Sequence, residues 1–165
     1  MKPRVAALAL IFIFGTALAT TYTKLSLEQQ VEKADVIVRA SIKQKTQETR
    51  VGKIWTVYTL NVVKFYKGSS ETFKDSSFAV FDSEKLKLEG APKFNENDDL
   101  FLLLYAKTYD SPIVGFRQGA YKILEGEKVV NLDNKPVMID TDGKPAEATT
   151  DTFSKQLETL TGGAK

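Results

Sequence analysis

Few residue types are available for chemistry in this chain. Its 165 residues include no histidine and no cysteine. That removes the imidazole base, the thiolate nucleophile and the ordinary zinc site. Histidine-dependent triad hydrolysis, zinc hydrolysis and thiol redox chemistry are therefore excluded. Carboxylates, lysine, tyrosine and the hydroxyls remain, and three groupings of residues stand out.

Glu96, Asp98 and Asp99 are close enough to pair as acid and base. That work needs two carboxyls whose surroundings drive their pKa values apart. The string Asn95-Glu96-Asn97-Asp98-Asp99 reads instead as a tight polar turn, with Asn accepting a positive φ. Asp140-Thr141-Asp142-Gly143 resembles the start of a calcium loop, but such a loop needs more ligands and a bidentate glutamate near its end. Only Glu147 is at hand, and an Asp-Gly hairpin turn accounts for the residues better. No catalytic residue, metal site or cofactor is assigned.

The third grouping is a binding face. Trp55, the only tryptophan, belongs to a basic stretch: Arg39, Lys43, Lys45, Arg50, Lys53, Lys64, Lys67 and Lys74 stand against Glu48 and Glu71. The following stretch is acidic, with Asp75, Asp82, Glu84, Glu89, Glu96, Asp98 and Asp99 against Lys85, Lys87 and Lys93. Parity along the strand places Trp55 and Val57 opposite Tyr58 and Leu60, facing outward. Trp55 with Arg39, Lys43 and Lys53 is the candidate contact surface. Lysines on long exposed strands also blunt sheet edges, which is their plainer role.

The elements that would carry these residues follow from periodicity. Asp35 to Gly68 reads as two long antiparallel strands joined by a polar turn at ETRVGK. Val36, Val38, Ala40 and Ile42 alternate with Ile37, Arg39, Ser41 and Lys43, the mark of a half-buried strand. Tyr58, Leu60 and Val62 face inward on the second strand, and Val63, Phe65 and Tyr66 break the alternation, which predicts a bulge. Ser26-Leu27-Glu28-Gln29 is a capping box opening a short helix to Lys33, expected to plug one end of a barrel. Further strands are predicted at Ser77–Phe81, Leu100–Ala106, Ile113–Phe116 and Ala120–Leu124, the second of them buried on both faces. Phe94 should be an apolar anchor after a Gly90-Ala91-Pro92 turn, and Tyr109 to Pro112 another turn. Gln118-Gly119 marks close backbone packing with glycine in a conformation side chains forbid. Turns at Asp133-Asn134 and Asp142-Gly143 predict a small ribbon. A helix capped by Thr149, Thr150 and Asp151 should run to about Leu160, docking through Phe153, Leu157 and Leu160 and stopped by Gly162-Gly163.

At the start, Lys2 and Arg4 precede an apolar run from Val5 to Phe14, and Ala17-Leu18-Ala19 supplies a small-residue cleavage pattern. Residues 1–19 are expected to be a signal peptide cleaved after Ala19. The run falls short of the ~20 residues a membrane span needs, so no stable anchor is expected after cleavage. Removing Lys2 and Arg4 brings the 23 basic side chains level with the 21 acidic ones. A generic polyanion binder would carry a clear positive excess. Residues 20–165 form one ordinary domain, exported to the periplasm or secreted.

The string ADVIVRASI, a polar loop and then VYTLNVVKFYKG resemble the netrin-like module of tissue inhibitors of metalloproteinases. The matching residues are Asp35, Val36, Val38, Arg39 and Ala40, then Tyr58, Leu60, Tyr66, Lys67 and Gly68. Gly90, Pro92, Phe94, Leu100 to Leu104 and Gln118-Gly119-Ala120-Tyr121 are similar to a pattern in exported bacterial proteins. The resemblance implies a small antiparallel OB-like barrel, mainly β, with a short N-terminal and a C-terminal helix. Protease inhibition is not carried over, because those inhibitors chelate zinc through an N-terminal cysteine and this chain has none.

The expected function is a non-enzymatic interaction module whose partner is another exported or cell-envelope protein. An OB barrel that binds nucleic acid uses aromatic and basic residues on one face, so polyanion binding through the Trp55 face is one alternative. Balanced charge and an exported location make nucleic acid the less favoured partner. The other alternative is a small carboxylate-dependent hydrolase, which would need a concave pocket holding two or more carboxylates.

Overall fold

The computed structural model describes residues 23–81, 90–106, 111–139 and 142–162. The expected signal peptide, the residues 82–89 with their five charges, the first half of the Tyr109 turn, Asp140-Thr141 and Gly163 lie outside the described residues. Helix α1 (Leu27–Lys33) begins with the predicted capping box: the Ser26 hydroxyl accepts from the Gln29 N–H, and the Gln29 amide oxygen accepts from the Ser26 N–H. Strands β1 (Val36–Arg50) and β2 (Lys53–Lys67) form the long hairpin, and β3 (Ser77–Phe81) pairs with β2. Then come β4 (Asp99–Leu104), β5 (Ala120–Ile123), β6 (Lys128–Asn131), the ribbon β7 (Met138–Ile139) and β8 (Pro145–Ala146), β9 (Ala148–Thr149), and helix α2 (Thr150–Leu160). The chain is mainly β, with antiparallel ladders throughout. Neither described helix is long and apolar enough to cross a membrane.

One sheet in the order β3-β2-β1-β4-β5-β6-β9 carries both cores. Val36, Val38, Ala40 and Ile42 gather with Tyr58, Leu60, Phe78, Val80, Leu100, Leu102 and Leu104 on its inner face. Strands β3 and β4 stand on opposite sides of the β2–β1 pair, so a flat sheet would hold Phe78 and Leu102 about three strand spacings of ~4.8 Å apart. Both belong to one cluster, linked by the side chains of β1 and β2 between them. The β1–β2 pair is also bent locally. Register slips leave Val63 and Tyr66 on β2 and Lys43 on β1 as extra residues, and each bulge sharpens the bend. The irregularity expected near the end of β2 is there. The described strands do not close into a barrel, since β3 and β9 each have a neighbour on one side alone.

The outer face differs from the half-buried expectation. Ile37, read as facing solvent, is fully buried with Tyr66, Phe101, Leu103, Tyr121 and Val129 beneath the two helices. Helix α1 does not plug an end; Val31 and Ala34 lie on this outer core beside Phe153 and Leu157 of α2. Strand β4 is buried on both sides as predicted, with Leu100, Leu102 and Leu104 inward and Phe101 and Leu103 outward.

Ile113 to Phe116 is not a strand. Ile113 makes a single bridge to Leu104, after which Gly115 and Phe116 take φ of 62° and 68° and the chain turns. The turn is drawn onto β4: the Val114 N–H donates to the Leu103 carbonyl and the Leu103 N–H to the Gly119 carbonyl. Gly119 is needed for space. A Cβ there would stand 2.9 Å from the Leu103 carbonyl oxygen, while its φ lies outside the left-handed range. The hairpin turn is also tighter than ETRVGK suggested. The ladder runs to Arg50–Lys53, leaving Val51 and Gly52 at φ of 50° and 70°, the two-residue connection that matches strand twist.

Candidate interaction surface

Trp55 lies opposite Glu48 of β1 and Phe81 of β3. Parity puts its ring on the face away from Tyr58, as expected. The ring is half-buried and meets Phe81 at 5.5 Å between centroids and 59°. The Lys53 ammonium stands 5.2 Å from the Phe81 centroid, within reach of a cation–π attraction. The guanidinium of Arg50 holds Glu48 through two hydrogen bonds, 3.0 and 2.8 Å. Val57, expected to be exposed beside Trp55, is buried, as is Ala79 across from it. The Trp55 indole N–H is closed off from solvent and finds no acceptor among the described residues. Ile54 and Val51 add exposed apolar surface toward the turn. Chemically the arrangement is an aromatic shelf with one cation above it and an unmet donor.

The four residues singled out in the sequence do not form one patch. Lys53 and Trp55 share a face two residues apart. Arg39 lies opposite Lys64, nine residues farther along β2, roughly 25–30 Å at the usual strand rise. Its guanidinium is committed to Asp99 at 2.9 Å, and that hydrogen bond raises its pKa further. Lys43 is the exposed extra residue of the β1 bulge, between the two sites. Phe81, which completes the shelf, escaped the sequence reading. Its strand was legible, but its position beside Trp55 depends on a register that periodicity does not fix.

The carboxylate cluster is occupied with holding the fold. Asp98 accepts the Asn95 N–H at 2.9 Å and pairs with Lys122 at 3.6 Å; Glu96 accepts the Lys45 N–H at 3.2 Å. Asn97 takes the positive φ foreseen for the turn, 70°. Elsewhere, an open groove of about 400 Å³ between the helices is lined by Glu28, Val31, Glu32, Lys67, Leu160 and Thr161. Its two glutamates are one turn apart on α1. Backbone and Ser26 hydrogen bonds at the helix start hold Glu28 below its ordinary pKa, the wrong direction for a general acid. Lys67 donates to the carbonyls of Val31 and Glu32. Among the described residues no three acidic side chains gather as a metal site. Gly143 is left-handed, as an Asp-Gly turn requires. No known protein family and no curated protein matches the chain in sequence.

Proposed function

We propose that the protein is an exported, non-enzymatic interaction module on an OB-like, netrin-like barrel frame, and that it engages another exported or envelope protein through the Trp55 shelf. The observation that carries the reading is the half-buried Trp55–Phe81 pair with Lys53 above it. Tryptophan is among the residues that most often dominate the energy of protein–protein contacts. A partner carboxylate would suit Lys53. The OB-like frame is supported by the bulged hairpin and by the inner core that β3 and β4 share. No cofactor is called for.

Polyanion binding is the weaker reading, because the basic side chains are dispersed and Arg39 and Arg50 are tied to carboxylates. Carboxylate-dependent hydrolysis fares no better, for the turn carboxylates serve the backbone and Glu28 in the groove is held below its ordinary pKa. The test is capture of partners from the exported fraction on immobilised wild-type and Trp55→Ala protein. A protein held by the wild type and lost, at least tenfold, by the variant is expected. A wild type that retains nothing above background would sink the reading, and so would equal retention by both.

A further inference from the structure

The hairpin has an edge that nothing described covers. Over Ile37–Ser41, β1 is paired on both sides, with β2 and with β4. From Gln44 to Arg50 it pairs with β2 alone, and every residue from Lys43 to Arg50 is exposed. The Lys45 N–H points away from β2, since it donates to the Glu96 carboxylate. Antiparallel alternation then turns the N–H and C=O of Gln47 and Thr49 to the same open side. Outside the β1–β2 ladder, no hydrogen bond reaches the backbone of either residue among those described. The edge is protected by the charges of Lys45, Glu48 and Arg50 and by little else. There is no proline between 44 and 50, and Glu96 guards one N–H at one end.

Unpaired strand groups ask for another strand, and the residues here suit a second copy of this chain. Antiparallel strands related by a two-fold axis must pair outward-facing residues with each other. Centred on Gln47, such a pairing sets Gln47 against Gln47, Lys45 against Thr49, Thr46 against Glu48 and Gln44 against Arg50, with the Lys45 N–H exchanging the Glu96 carboxylate for the Thr49 carbonyl of the second copy. No like charges face each other. Centring on Lys45 or on Glu48 would set like charges opposite, which is unfavourable. We propose that Gln44–Arg50 is a homodimer edge, joined in antiparallel register about Gln47. A contact of seven residues on one strand is small beside the ~1,200 Å² of total buried surface typical of stable complexes. The dimer is therefore a weak one, in exchange with monomer, and it leaves the Trp55 shelf uncovered.

Sedimentation equilibrium of the purified protein, alone and over a hundredfold concentration range, tests this without reference to any other partner. The weight-average mass should climb toward twice the monomer value in the wild type. It should stay at one in Gln47→Pro, which removes an outward N–H and none from the β1–β2 ladder. Amide exchange in the wild type supplies a second readout that needs no folded variant. Gln47 and Thr49 should slow at least threefold with concentration, with Gln44 and Thr46 unchanged. A wild type that remains monomeric overturns the proposal. So does a dimer that survives in folded Gln47→Pro, or exchange at Gln47 and Thr49 that ignores concentration.

Discussion

Tyr121 is the clearest case of a single residue with a pH-dependent consequence. Its hydroxyl donates to the Gln30 side-chain oxygen at 2.6 Å, tying the sheet to α1 in the outer core. Burial pushes the phenol pKa up, and the hydrogen bond to Gln30 offsets only part of that. An acid whose folded pKa is raised contributes stability below its unfolded value, about 10 for tyrosine, and loses it as pH rises beyond. Urea melts should show stability falling above that pH with a steeper slope in the wild type than in Tyr121→Phe. Equal slopes would mean that the phenol does not stay neutral in the core. At neutral pH the same variant should cost about 1–2 kcal/mol, because it leaves Gln30 with a buried, unmet acceptor. Gly119→Ala should cost about 1–3 kcal/mol by the same melts, since its Cβ would press on the Leu103 carbonyl and on Leu103 and Val114 side chains. Val51→Asn should act in the opposite direction. Val51 is fully exposed at φ 50°, where a β-branched residue is strained and asparagine is at ease. A gain of about 1 kcal/mol is expected, and no gain would show the turn to be unstrained. Asn97 and Gly119 were legible in the sequence because turn chemistry and lone glycines are local signals. Tyr121 was not, since its partner is 91 residues away.

Among the elements, those specified by neighbours in sequence were read correctly. Helix α1, β3, the bulged end of β2, the Met138–Ala146 ribbon and the capped helix α2 all follow from caps, alternation and turn residues a few positions apart. The misreadings share a different cause. Ile113–Phe116 has the composition of a strand, but Gly115 and the approach of Gly119 to β4 fold it into a turn. Ile37 was given to solvent because alternation tells which residues share a face and not what covers that face. The cover is α2, whose Phe153 ring meets Phe101 at 5.0 Å and Tyr121 at 4.9 Å. Phe153→Ala should therefore cost about 3–5 kcal/mol and speed amide exchange through α2 before it affects β1 and β2. If exchange in α2 and β1 rose together, the helix would be part of the sheet's own cooperative unit rather than a cover on it.

In the whole molecule, the two halves of the hairpin have separate jobs. The proximal part of β1, between β2 and β4, buries apolar residues on both faces and holds the fold. The distal half extends beyond β4, covered by β3 along Trp55–Thr59 and, beyond the Glu96 contact at Lys45, unpaired among the described residues on its β1 edge. The sequence made the hairpin visible and placed Trp55 on the right face. It also grouped Arg39 and Lys43 with Trp55, because a shared face along a fifteen-residue strand looks like proximity until the length is counted. Because Trp55 is the only tryptophan, the proposed contact can be watched directly. The protein is labelled with 5-fluorotryptophan and followed by fluorine NMR while unlabelled protein captured from the exported fraction is added. The single resonance should shift or broaden in proportion to the complex formed. A complex that forms to saturation with that resonance unmoved would contradict an interaction through the Trp55 shelf.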